Sequence, residues 1–215
     1  PLPQHWSSGS STLQIDPSNF KFEGPTSQLP DLLAAFDRFH TLFFPHHASN
    51  CSGASLTGVQ VTISDQSALL QLGVDESYHL TVPSTPGSPA KIAAGTIFGT
   101  YHALQTLSQL IEFDFDSNSF LIKGAPWQID DQPRFPHREL LIDSSRHFLS
   151  LATIKKMIDG LSYIKINTVH WHIVDTQSFP FGSLSNPNLA SQGAWSQMER
   201  YTTIDMAEVM EYARQ

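Results

Sequence analysis

Residues 139–175 read ELLIDSSRHFLSLATIKKMIDGLSYIKINTVHWHIVD. Glu139 to Asp143 is a short apolar run ending in polar residues, and it reads as a strand. From Leu151 to Ser162, the residues Ile154, Met157, Ile158 and Leu161 recur at the three- and four-residue spacing of one helix face. Lys165 to Ile173 forms a second strand. Strand, helix and strand in this order make a β/α/β unit, because the crossover helix lets both strands run parallel. After a long loop, Thr203 is expected to cap a further helix carrying Met206, Val209, Met210 and Tyr212. Two strands and two helices cannot close a barrel. The sequence also stops within that helix, at Ala213-Arg214-Gln215, without a glycine cap. The expectation is that the chain is part of a larger protein.

Upstream the pattern differs. Residues 1–12 are rich in Pro, Ser and Gly and read as an irregular arm. Residues 12–15 and 20–22 are short strand candidates. Leu29 to Phe44 is an amphipathic helix, with Pro30 near its start and Pro45 at its end. Residues 57–63 and Glu76 to Val82 alternate as strands, and the three prolines within 83–90 indicate a loop. A second helix spans Ile97 to Ile111, and one or two short strands follow in 120–129. The segment 129–136, with Pro133 and Pro136, reads as a linker. The domain boundary is therefore expected between 1–132 and 133–215.

Charge breaks at the same place. Residues 1–132 hold 4 Lys/Arg against 12 Asp/Glu, whereas residues 133–215 hold 8 against 8. The net charge of −8 over 215 residues leaves no basic stretch to track a phosphate backbone, which excludes nucleic acid as the main partner. With 40% hydrophobic and only 15% charged residues, the chain can fold around a core and is no disordered acidic tail. No run of 18 apolar residues offers a membrane span. No basic segment precedes an apolar stretch and the sequence starts at Pro1, so it is expected to be already processed. Cys51 is the only cysteine, which excludes an intrachain disulfide and a cysteine-rich metal site. Asn50-Cys51-Ser52 fits the Asn-x-Ser glycosylation pattern, which matters in a secreted or vacuolar protein.

Three constellations carry chemistry. Arg146 follows the first strand of the β/α/β unit, where parallel α/β folds build their sites. Its fork of donors can clamp hydroxyls or a carboxylate, or it can pair with Asp143 to hold a loop. His170 and His172 share one face of the second strand, with Trp171 on the other. Two histidines at that spacing can bind zinc, but no third ligand is evident, and no metal is expected. Asp175, at the strand end, is placed to orient a base or a substrate, or is a solvated loop residue. Trp171, Phe179, Phe181 and Trp195 crowd the following loop, as a sugar ring or a loop packing back on the barrel would require. His40, His46, His47, His79 and His102 read as surface or helix-flank residues. Ser144 and Ser145 lack a Gly-x-Ser-x-Gly elbow, and the glycine-rich patches lack a phosphate-loop lysine.

Residues 134–149, RFPHRELLIDSSRHFL, and 163–180, YIKINTVHWHIVDTQSFP, resemble the start of the catalytic barrel of the family 20 β-N-acetylhexosaminidases. GVDESY at 73–78 and GTYHALQTLSQL at 99–110 resemble that family's N-terminal domain, and EYAR at 211–214 its second barrel helix. The Asp175-Thr176-Gln177-Ser178 form looks most like the plant branch. The resemblance implies an α/β protein in which a small antiparallel sheet domain with helices on one face precedes the first two β/α units of a TIM (β/α)8 barrel. It also implies hydrolysis of terminal, non-reducing β-linked N-acetylglucosamine or N-acetylgalactosamine, with retention, by a substrate-assisted mechanism.

On that resemblance Arg146 binds the terminal sugar's hydroxyls, and Asp175 supports a proton relay through a later histidine. Arg146, His170 and Trp171 are the candidate substrate-binding residues and Asp175 the candidate catalytic residue. The family's acid/base Glu and its adjacent Asp have no counterpart in these 215 residues. Glu139 stands where the family has Gly and needs a partner. The loop Phe181 to Leu184 lacks the family's acidic residue. No cofactor is implied. The expected partners are N-acetylhexosamine-terminated glycans or chitooligosaccharides, and either a homodimer partner or a polypeptide bearing the rest of the barrel. The expected location is vacuolar, lysosome-like or extracellular. The alternative is a non-catalytic sugar-binding fragment or subunit.

Overall fold

The computed structural model describes residues 2–49, 51 and 53–214. The glycosylation candidate Asn50 lies outside the described residues. The chain divides into two compact units, Pro1–Pro136 and His137–Gln215.

In the first unit, alternation and helical spacing select what is buried. Its strands are β1 (His5–Ile15), β2 (Lys21–Glu23), β3 (Ala54–Ile63), β4 (Tyr78–Val82), β5 (Ser88–Ala94), β6 (Glu112–Asp114) and β7 (Ser119–Asp131). Its helices are α1 (Pro30–Phe43) and α2 (Ile97–Leu110). Val59, Val61 and Ile63 of β3, Leu80 and Val82 of β4, and Ala90, Ile92 and Ala94 of β5 face one core. Leu32, Phe36, Phe39 and Phe43 of α1 and Ala103, Leu104 and Leu107 of α2 pack into it. The Thr96 hydroxyl caps α2 by accepting from Phe98 N at 3.2 Å. Gly99 lets that helix lie on the Ser77 carbonyl, where a Cβ has no room.

The sheet is mixed, which corrects the expectation of an antiparallel one. The β1–β7, β4–β5, β4–β7 and β6–β7 ladders are antiparallel. The β1–β3, β2–β3 and β3–β5 ladders are parallel. Helix α1 lies between β2 and β3 and supplies the crossover that a parallel pair needs.

From His5 onward the serine-rich segment is no irregular arm. Strand β1 pairs along β7 from His5↔Asp130 to Ile15↔Phe120. Its serine-rich half is exposed and shows no alternation, so backbone pairing with β7, not side-chain burial, makes it a strand. Gly9 belongs to this pairing, because a Cβ there would meet the Ala125 carbonyl oxygen at 2.5 Å. The expected loop at 83–90 ends early. Pro89 sits at the second residue of β5, where a proline is tolerated before the alanine-rich buried positions. The expected linker also shrinks, because β7 runs through Asp131 and pairs it with Tyr78. Two of the histidines read as surface residues have acidic partners: Glu76 for His102 at 2.8 Å, largely buried, and Asp130 for His79 at 2.6 Å.

In the second unit, β8 (Glu139–Asp143), α3 (Leu151–Tyr163) and β9 (Thr168–His172) form the expected β/α/β unit. Strand β9 is shorter than its apolar run. Lys165 adopts a positive φ of 61° in the turn that leaves α3. The short helix α4 (Pro187–Gly193) interrupts the long loop, and α5 (Thr203–Arg214) follows. Helices α3 and α5 pack through Ile154, Ile158, Met206 and Val209, around the buried Tyr201. The Tyr212 hydroxyl donates to Asp159 Oδ1 at 2.7 Å across the same contact. Among the described residues no helix is long and apolar enough to cross a membrane.

The cap of α5 is Thr202 and not Thr203. Thr202 Oγ1 accepts from Asp205 N at 3.1 Å, and Asp205 Oδ2 accepts in return from Thr202 N at 2.7 Å. This reciprocal pair satisfies two backbone donors that the helix start leaves open. Thr202→Ala should destabilise the protein by about 1 kcal/mol, read as a lower denaturant midpoint at unchanged slope. Thr203→Ala should leave the midpoint in place.

Candidate active site

The site grows from the register of one parallel ladder. Strands β8 and β9 pair Glu139↔Thr168, Leu141↔His170 and Asp143↔His172 on one face. Leu140↔Val169 and Ile142↔Trp171 take the other. Ser144 N extends the ladder by donating to the His172 carbonyl at 3.1 Å. Both strands therefore end level, and the loops that follow them meet.

Asp143 turns the first loop. Its Oδ1 accepts from Ser145 N at 3.0 Å and from Arg146 N at 3.1 Å. Its Oδ2 accepts from Arg146 Nε. Arg146 Nη1 donates to Asp175 Oδ2 at 2.9 Å. The sequence left open whether Arg146 pairs with Asp143 or faces a ligand. Here it spans both aspartates, and its side chain is still 46% exposed, so guanidinium N–H groups remain for a ligand.

Asp175 is the second fixed point. Its Oδ1 accepts from Thr176 N at 2.6 Å, and its Oδ2 lies 2.9 Å from His172 Nε2. Its backbone N donates to the Ser178 carbonyl at 3.0 Å, which closes the loop. The Thr176 amide, then His172, then Arg146 favour the Asp175 carboxylate and hold its pKa below the usual aspartate range. The Arg146 side chain does the same for Asp143, and the two aspartates push the guanidinium's pKa up in turn.

Ser145 ties the two loops together. It is fully buried, its N–H donates to Asp143, its hydroxyl donates to the Ser178 carbonyl at 2.8 Å, and its carbonyl accepts from Trp195 Nε1 at 3.1 Å.

Not every candidate joins this cluster. His170 lies on the same sheet face as His172 but one pleat lower. Its Nδ1 sits 3.1 Å from Glu139 Oε1, and His137 Nε2 sits 3.1 Å from Glu139 Oε2. Glu139 thus has the partners its position demanded, and they, His170 foremost, lower its pKa. Trp171 lies on the opposite face. Its indole donates to Ser144 Oγ at 2.7 Å, and its ring meets Tyr201 edge-on at 4.9 Å. Strand alternation directs it into the helix packing, away from Arg146 and Asp175. Among the described residues no group of three His, Cys, Asp or Glu is placed to hold a metal ion.

The candidate list missed His172, although strand parity was the available signal: it shares the face of His170 and is two residues nearer the strand end. It also missed Tyr201, which no motif marked. Tyr201 is buried, donates to the Leu149 carbonyl at 2.5 Å and stacks on Phe148 at 4.8 Å.

Residues 135–215 match the family described as glycosyl hydrolase family 20, catalytic domain, and residues 1–110 match the family described as beta-acetyl hexosaminidase like. The chain is 42% identical over 228 residues to beta-hexosaminidase 3 of Arabidopsis thaliana, covering 100% of this chain and 42% of that protein. It is 37% identical over 216 residues to beta-hexosaminidase subunit B2 of Dictyostelium discoideum, covering 100% of this chain and 38% of that protein. It thus spans about two fifths of the length of these curated relatives. Among solved structures, the chitobiase of Flavobacterium johnsoniae superposes with a TM-score of 0.79 at 28% identity, over 100% of this chain and 32% of that one. The mixed-sheet domain and the β/α units of this fold recur together in family 20 barrel enzymes, and the chain belongs to glycosyl hydrolase family 20, among its β-hexosaminidase-like members.

Proposed function

We propose that this chain supplies the first domain and the first two β/α units of a β-N-acetylhexosaminidase that removes terminal, non-reducing β-linked N-acetylglucosamine or N-acetylgalactosamine. The supporting observation is Arg146, held between Asp143 and Asp175 at the ends of two parallel strands with part of its guanidinium exposed. Sugar hydroxyls accept from the remaining N–H groups. The acetamide oxygen of the substrate attacks the anomeric carbon while an acid/base Glu, carried outside these residues, protonates the leaving oxygen. An adjacent Asp, also outside them, orients the acetamide. Asp175 fixes Arg146 and His172 and is the end of this chain's contribution to proton transfer. His170 takes its place lower on the same sheet face, and Trp171 supports the turn from behind through Ser144.

The full-length polypeptide should hydrolyse an aryl β-N-acetylglucosaminide and leave the matching aryl β-glucoside, which lacks the acetamide, untouched. Equal turnover of both would remove the substrate-assisted reading. No turnover of either would remove the hydrolase reading.

The clamp also suits an acidic vacuolar, lysosome-like or extracellular setting. Depressed carboxylates contribute above their unfolded values and lose that contribution only as pH falls through their lower folded values. Asp143 and Asp175 should therefore stay ionised to a lower pH than ordinary aspartates. Carboxyl-carbon NMR titration should give both midpoints below that of an unperturbed aspartate, and a midpoint above it would contradict the clamp.

A further inference from the structure

The loops that follow β8 and β9 are joined by bonds of different kinds. One is the ion pair between Arg146 Nη1 and Asp175 Oδ2 at 2.9 Å, whose side chains are 46% and 22% exposed. Water and salt screen so open a pair, and alone it holds two loops weakly. Another is neutral. The Ser145 hydroxyl donates to the Ser178 carbonyl at 2.8 Å, and both serines are buried. Ser145 directly precedes Arg146, and the Ser178 carbonyl also accepts from Asp175 N at 3.0 Å. The neutral bond thus ties the residue before Arg146 to the acceptor that fixes the Asp175 backbone. Every polar group of Ser145 is engaged, since its N–H donates to Asp143 Oδ1 and its carbonyl accepts from Trp195 Nε1. The contacts close a ring, from Arg146 through Asp175, the Ser178 carbonyl and Ser145 back to Arg146.

We propose that Ser145 is a positioning residue for the sugar clamp, and that its buried hydroxyl bond, rather than the ion pair, sets the distance between Arg146 and Asp175. This rests on the hydrolase reading above. Breaking the bond leaves buried polar groups short of a partner, and salt does not screen it. The guanidinium can then turn donors toward sugar hydroxyls without the two loops spreading, because the ring stays closed behind it. A clamp held only by its own ion pair would weaken whenever the ligand or the salt competed for that pair.

The test is Ser145→Ala in the full-length protein, with an uncharged aryl β-N-acetylglucosaminide as the probe. At low salt kcat/KM should fall by about tenfold, the scale of one buried hydrogen bond. In molar potassium chloride, where charges reach only about 3 Å, the variant should lose about a further fivefold, because the exposed ion pair is then the main link between the loops. The wild type should change by less than about twofold, since its neutral bond is not screened. The Asp175 carboxyl midpoint, held down by the Thr176 amide, His172 and Arg146, should rise in the variant toward that of an ordinary aspartate as Arg146 draws away. Ser145→Cys keeps the size and offers only a weak donor, so it should lie between serine and alanine, and it makes the same comparison if Ser145→Ala does not fold. A salt response equal to that of the wild type, or an unmoved Asp175 midpoint, would show that Ser145 only stabilises its turn and would overturn the proposal while the wild type stays active. A wild-type protein inert on the glycoside would overturn the hydrolase reading and the positioning role with it.

Discussion

Asp175→Ala in the full-length protein should lower kcat/KM on an aryl β-N-acetylglucosaminide by about 100-fold or more, on the scale of a lost positioning or proton-transfer group. Asp175 accepts from Arg146 Nη1, from the Thr176 amide, and faces His172 Nε2. Without it Arg146 keeps only Asp143, and its guanidinium folds back along its own loop. His172 loses the carboxylate that fixes its ring. Asp175→Asn keeps an acceptor oxygen but not the charge, and should fall between alanine and wild type. Circular dichroism serves as the fold control. A loss under threefold with native spectra would remove Asp175 from the catalytic machinery and leave it as a loop anchor.

Arg146→Ala should cost about as much, roughly 100-fold, through loss of the sugar clamp, and Arg146→Lys about tenfold, equivalent to roughly 1.4 kcal/mol of transition-state stabilisation. Lysine keeps the charge but cannot span two aspartates with fixed donors. Asp143 and Asp175 would then lie close together with one compact ammonium between them, so part of the loss should appear in KM. Lys156, exposed on α3, is the appropriate control and should change kcat/KM little when replaced by alanine. Lys155 is not a neutral control, because it pairs with Glu208 of α5 and lies 5.0 Å from the centre of the Tyr212 ring. Unchanged kcat/KM in Arg146→Lys would favour a purely structural role for the Arg146–Asp143 pair. A large drop in melting temperature alongside lost activity would count for that structural role as well.

Local pattern determined much of this protein by itself. The bounds of β8 could be read directly, because an apolar run between a linker and two serines has one reading. Helices α1, α2 and α3 were legible from apolar residues at three- and four-residue spacing, which no strand can turn to one side. The meeting of Arg146 with Asp175 was legible because the C-terminal ends of parallel strands fall at one end of the sheet. The tertiary structure decided what pattern does not encode. Strand β1 exists because β7 pairs with it, and a serine-rich segment carries no trace of a partner more than a hundred residues away. The parallel direction of β2 and β3 depends on where the chain returns after α1. The expected cap, Thr203, gave way to Thr202 because Asp205 pairs with Thr202. The place of Trp171 turned on which sheet face meets the helices, and that of Trp195 on a hydrogen bond to Ser145, fifty residues distant. Spacing fixes the side to which a residue points, and only packing fixes what stands there.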